Sequence, residues 1–173
     1  MLISVIKTID KLTELTGKLM AWFAVVVVLL MALIVLLRYG FNLGSIALQE
    51  SVIYFHSAVF LLGSAYALKH NEHVRVDLFY AKFTAKQKAW VNLFGSLLLL
   101  IPVTVFIFIL SWSFVTDSWQ IMEGSAEAGG LPFIYILKTM IPLFSLLLIL
   151  QAVSEIGKSI LTIQGNANLL EVK

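Results

Sequence analysis

Residues 19–37 read "LMAWFAVVVVLLMALIVLL", with no charged side chain in the run. A helix rises about 1.5 Å per residue, so this block can cross the roughly 30 Å hydrocarbon core of a bilayer. Helix is the expected form, because an isolated run in lipid must satisfy its own backbone hydrogen bonds. Lys7, Lys11 and Lys18 precede the block, as in the basic start of a signal peptide. The run is longer than a signal-peptide core and no A-x-A site follows it, so an uncleaved first span is expected.

Three further blocks lie outward from it. They cover about residues 51–68, 89–119 and 133–157. The predicted fold is an all-α integral membrane protein, a single membrane domain over 1–173 with four transmembrane helices. The composition agrees: 60% of the chain is hydrophobic and 13% charged, far from an ordinary soluble domain. A net charge of +2 with no concentrated basic face argues against nucleic acid. The absence of cysteine excludes disulfides, thiolate metal sites and cysteine nucleophiles.

Of the 12 basic residues, Lys7, Lys11, Lys18, Lys69, Arg75, Lys82, Lys86, Lys88, Lys158 and Lys173 fall on one side of a four-span topology. Arg38 and Lys138 remain on the other. The positive-inside rule places the larger set, and both termini, in the cytoplasm.

Between spans two and three lies "HNEHVRVD", His70 to Asp77, the most polar run of the chain. After it, Val76, Phe79, Tyr80 and Phe83 recur at helical spacing. This pattern predicts an interfacial amphipathic helix over about 77–87 on the cytoplasmic side, N-capped by Asp77 and anchored by lysines. Thr84 and Gln87 form a T-x-x-Q capping box that opens span three. Pro102 and Pro142 each remove a backbone bond and predict a kink.

His56 is the only histidine inside a span. A haem held by two histidines needs a second one facing it, and His70 and His73 lie at the cytoplasmic end. His56 shares a stripe with Gly63, where a small residue lets another helix approach, so a hydrogen bond to a neighbouring helix is expected. His70, Glu72, His73 and Asp77 match no defined metal-ligand spacing. Arg38 and Glu50 flank the short outward loop and are candidates to pair with each other or with a partner. Glu123, Glu127, Gly129 and Gly130 form an outward loop whose glycines predict flexibility. No P-loop and no nucleophile elbow is present. The expectation is a non-enzymatic subunit with no cofactor and no metal.

The quoted segments "LRYGFN", "QESVIYFHSAVFLLGSAYALKHNEHVRVD" and "GSAEAGGLPFIYILKTMIPL" resemble the small membrane subunit of tripartite ATP-independent periplasmic (TRAP) transporters, the DctQ-like family. The matching run is Arg38 and Tyr39, Glu50, Gly63 to Ala65, then His73 to Asp77. The chain departs from many relatives at "IALQE", where a single Glu50 stands and tryptophan is absent. The resemblance implies a sodium-coupled importer in the bacterial inner membrane, fed by a periplasmic solute-binding protein that often carries a carboxylate. It implies that this chain scaffolds a large multi-span subunit and touches membrane lipids. Arg38, Glu50, His56, Gly63, His73, Arg75 and Asp77 are then candidate partner or structural contacts. Glu123, Glu127, Gly129 and Gly130 are a candidate docking loop. A redox-enzyme anchor and a small homo-oligomeric exporter are the alternatives. An alkaline phosphatase fusion is expected to be active within the Glu123–Gly130 loop and silent after Lys173; the opposite pattern overturns the orientation.

Overall fold

The computed structural model describes residues 2–72, 80 and 82–166. Four helices are long and apolar enough to cross a membrane: α1 (Leu2–Phe41), α2 (Ile46–Lys69), α3 (Ala85–Gln120) and α4 (Ile134–Ile163). No strand occurs among the described residues.

The helices do not enclose a symmetrical core. α4 is the hub and packs on α1, α2 and α3, while α1 and α2 form an antiparallel hairpin on one of its sides. Accordingly, 28% of the apolar window of α4 is buried, against 6% for α1. Where α3 meets α4 the buried positions are small or hydroxylated: Thr104, Ser111, Val115 and Ser118 on α3, and Ser145 and Ala152 on α4. Small side chains let two backbones approach closely in lipid. Their hydroxyls turn back on their own helices, as Thr104 does to the Leu100 carbonyl at 2.7 Å and Ser145 to that of Ile141 at 3.2 Å. The Thr104, Ser111 and Ser145 hydroxyls are paired in this way, whereas the buried Ser118 hydroxyl has no hydrogen-bond partner among the described residues.

α1 begins well before the apolar block. It is a 40-residue helix, about 60 Å at the usual rise, or about twice the hydrocarbon thickness. Its first half is amphipathic: Ile6, Ile9, Thr13, Gly17 and Met20 are buried at helical spacing, whereas Lys7, Lys11 and Lys18 are exposed. This buried stripe runs against α4 and the end of α2.

The helix ends explain the short elbows. His70, Asn71 and Glu72 terminate α2: Asn71 is left-handed (φ 59°), its N–H bonds to the Leu68 carbonyl, and the Glu72 N–H reaches that of Ala67 at 2.9 Å. This is a Schellman motif, with asparagine in the position usually given to glycine. The same pattern ends α3 with Met122 (φ 46°) and α4 with Gly165 (φ 78°).

Residues 77–79 and 81 of the expected interfacial helix lie outside the described set, as do His73 and Arg75. Within it, the chain turns at Lys82 and Phe83, and residues 85–87 are the first turn of α3. Thr84 closes the expected capping box: its hydroxyl accepts from the Gln87 N–H at 3.3 Å, and Gln87 Oε1 accepts from the Thr84 N–H at 2.8 Å.

Pro102 reshapes α3 upstream of itself. Lacking an N–H, it cannot bond to the Leu98 carbonyl, and its ring crowds that group. Residues Gly95–Leu100 widen into a π-helical stretch, and the Ile101 N–H bonds five residues back to the Ser96 carbonyl. A π-bulge is a known way to fit such a defect into a helix.

Close approach of α1 and α2 occurs at Gly17, not at Gly63. A Cβ on Gly17 would overlap the Tyr66 ring and stand 2.8 Å from the Tyr66 Cβ, which is held by the α2 backbone. A Cβ on Gly63 would meet only the Met20 Cβ at 3.8 Å, ordinary contact. Gly17→Ala should therefore destabilise the solubilised chain by about 1–3 kcal/mol through overpacking. Gly63→Ala should stay within about 0.5 kcal/mol. Thermal unfolding followed by circular dichroism compares the two, and equal melting would contradict the assigned contact.

Candidate functional site

No Asp, Glu, Lys or Arg occurs in residues 19–37, 51–68, 89–116 or 139–150. The ionic groups collect at the two ends of the bundle, where the antiparallel helices bring distant residues together.

At the end holding the N-terminus, α1 is tied to α4 around Gln151, which is fully buried. Gln151 Oε1 accepts from the Thr13 hydroxyl at 2.7 Å, and its Nε2 donates to Asp10 at 3.3 Å and Glu155 at 3.0 Å. Asp10 also accepts from the Ser154 hydroxyl at 2.7 Å and pairs with Lys158 at 2.8 Å. Lys158 bridges back to Glu155 at 2.8 Å. The amide of Gln151 thus uses its oxygen and both donors, which is what a buried amide requires.

Next to it, α1 is tied to α2. Lys69 pairs with Glu14 at 2.6 Å and donates to the Asp10 carbonyl at 3.1 Å. His70 lies 3.1 Å from the same Glu14 carboxylate and stacks on Tyr66, centroids 4.2 Å apart. The polar elbow between spans two and three therefore starts by clamping α2 onto α1.

The opposite end is organised by Glu50, just past the first turn of α2. One of its oxygens accepts from the Ser125 hydroxyl, and the other accepts from the Leu131 N–H at 2.6 Å. Both donors belong to the connection between α3 and α4. That connection is internally bonded as well: the Ser125 N–H to the Leu131 carbonyl, the Gly130 N–H to that of Glu127, and the Ile134 N–H to that of Glu123, each at 3.0 Å. It is an ordered turn, unlike the flexible loop expected from its glycines. Gly129 supplies a left-handed residue (φ 83°), and Gly130 leaves the space Glu50 needs. A Cβ on Gly130 would strike the Ser125 hydroxyl and lie 2.7 Å from Glu50 Oε1.

Glu123 faces inward and pairs with Lys138 at 2.5 Å. The Lys138 ammonium, foremost, holds the Glu123 carboxyl below the usual carboxylate range. The Lys138 ammonium also lies over the Phe114 ring, 4.0 Å from its centroid. Glu127 is exposed at the turn. Trp119 donates to the Thr139 hydroxyl at 2.8 Å and packs edge-on against Tyr135, fastening α3 to α4.

Other expected residues have different surroundings. Arg38 is exposed at the end of α1, and its charge does not pair with Glu50. His56 is exposed on α2 and forms no hydrogen bond with another described residue. Among the described residues no cluster of three or more His, Asp or Glu side chains is arranged to hold a metal.

The family resemblance rested on Arg38 and Tyr39, Glu50, Gly63 to Ala65 and His73 to Asp77, in that order along a four-span chain. The family model for "Tripartite ATP-independent periplasmic transporters, DctQ component" matches residues 26–162. The chain belongs to this family. A DctQ component is part of a transporter with other membrane and binding-protein components. No curated protein and no solved structure matches the chain.

In this DctQ-family chain, sequence reasoning singled out Glu50 but not its partners, and passed over Asp10, Thr13, Gln151 and Lys158. A signal for the latter was present: polar residues Asp10 and Thr13 continue the apolar stripe of Ile6 and Ile9, and Gln151, Ser154 and Lys158 recur at i, i+3 and i+7. Glu50→Ala should release the α3–α4 turn. Hydrogen exchange at the Leu131 amide is expected to quicken by about tenfold or more, since a charged acceptor is lost; unchanged exchange would show that the turn holds itself.

Proposed function

We propose that the chain is the non-catalytic small membrane subunit of a sodium-coupled, binding-protein-dependent TRAP importer for an organic acid or similar carboxylate. It lies in the bacterial inner membrane with both termini in the cytoplasm and scaffolds the large multi-span transport subunit. The observation that carries this reading is the uncharged middle of the bundle. A path for a hydrophilic anion and its coupling ions needs polar groups at membrane depth. Here the Thr104, Ser111 and Ser145 hydroxyls bond to their own helices. Movement of solute is therefore assigned to the large subunit, and the sodium coupling with it.

The outer half of α1 supports the scaffold role. Trp22 is 71% exposed and Tyr39 81%, with Val28, Leu29 and Leu36 exposed between them. This flank offers a long rigid apolar surface to another membrane helix. The N-terminal half of the same helix is tied to α4 through Asp10 and Thr13 and to α2 through Glu14. The ordered turn around Glu127, Gly129 and Gly130 is the element offered to the periplasmic binding protein. His56 and Gly63 lie on parts of α2 that are not fully buried within this chain, and we assign them to partner contact.

Co-expression with the large subunit of the same transporter is the test. A tag on this chain should recover a stable complex, and reconstituted transport should need both membrane subunits. Transport in liposomes by this chain alone would refute the scaffold reading. Glu127→Lys should weaken uptake driven by the binding protein while leaving the yield of the membrane complex unchanged.

A further inference from the structure

An open recess of about 590 Å³ lies inside the elbow where α1 turns into α2. Ile34 and Leu37 form its apolar wall, and Arg38, Asn42, Ser45 and Gln49 are its polar lining. Asn42 shapes the elbow: it is left-handed (φ 54°), and the next residue's N–H closes back on the Leu37 carbonyl at 3.0 Å. The Ser45 hydroxyl caps α2 by accepting from the Leu48 N–H.

Arg38 is an unusual charge here. Among the described basic residues, only Arg38 and Lys138 lie at this end of the bundle. Lys138 is neutralised by Glu123. Glu50, the acid nearest to Arg38 in sequence, is engaged by Ser125 and Leu131. No described carboxylate lies within ion-pair distance of Arg38. A guanidinium at the rim of a hydrocarbon layer calls for a compensating anion, and its planar fork suits a phosphate oxygen pair.

We infer that this recess binds the phosphodiester of one membrane phospholipid. Arg38 holds the phosphate, while Asn42 and Gln49 supply amide donors to phosphate or ester oxygens. Leu37, beside Arg38, and Ile34, one turn deeper in the apolar block, line the start of an acyl chain. The join of cation, amides and apolar wall favours a lipid over a carboxylate from a partner protein, which has no use for the wall. The inference does not depend on the subunit assignment, since it concerns only residues of this chain.

The full chain, purified and delipidated in mild detergent, is mixed with short-chain phosphatidylglycerol and examined by native mass spectrometry. Diacylglycerol and inorganic phosphate are the parallel probes. Wild type should retain one phosphatidylglycerol, and neither diacylglycerol nor inorganic phosphate should replace it. Arg38→Gln should reduce retention about tenfold, the effect of losing one charge-assisted contact. Arg38→Lys should fall between the two, because the charge stays and the fork goes. Lys11→Gln, at the opposite end, should retain the lipid as wild type does. Unchanged melting of the Arg38 variants shows that folding is intact; if Arg38→Gln melts early, Arg38→Lys carries the comparison. Equal lipid retention by wild type and both Arg38 variants overturns the site. So does equal binding of diacylglycerol, or displacement of the lipid by inorganic phosphate. Loss of the large subunit from Arg38→Gln with lipid retention unchanged would assign Arg38 to a partner carboxylate and also overturn it.

Discussion

The buried amide of Gln151 is the interaction on which this fold depends. A polar side chain with no access to water costs about 1–3 kcal/mol if a partner is missing. Gln151 avoids that cost by engaging Thr13 and Asp10 on α1 and Glu155 on its own helix. Those bonds require α1 to continue as a helix far past its apolar block, because Thr13 and Asp10 must present one face to α4. They also fix the register of α1 on α4, which apolar packing in lipid defines only weakly. By contrast, the pair between Glu14 and the largely exposed Lys18 adds little, as surface ion pairs do.

The two ends of the bundle solve the same problem with different chemistry. At the end holding the N-terminus, lysines from α2 and α4 reach carboxylates on α1. At the other end, Glu50 has no lysine and instead takes a hydroxyl and a backbone N–H from the α3–α4 connection. Each arrangement joins helices that are distant in sequence. The first ties α1 to α2 and α4, and the second ties α2 to the α3–α4 connection.

Much of this was legible before the tertiary structure. Four spans follow from run length alone, and the capping box at Thr84 and Gln87 marked the start of α3. Glu50 was recognisable as a residue of consequence. Its role was not, because Ser125 and Leu131 lie some 75 and 81 residues away in the chain. Gly63 drew attention by sharing a stripe with His56, yet Gly17 makes the close approach. Which glycine meets a neighbour depends on which faces of α1 and α2 oppose each other. The connection around Gly129 and Gly130 looked flexible because glycine usually loosens a chain; here each glycine permits a contact that orders it.

The sequence by itself determined the lipid-facing character of the chain, the number of helices and the confinement of charge to their ends. Those are consequences of hydrocarbon thickness and of the cost of bare charge within it, and both act on local composition. The tertiary structure alone decided that α4 is the hub, that α1 extends back to Leu2, that Glu50 holds a distant turn and that Arg38 has no acid beside it among the described residues. These outcomes depend on which helix faces meet, and lipid exerts almost no hydrophobic preference among apolar faces. The choice falls to a few polar groups whose partners are brought together only by folding.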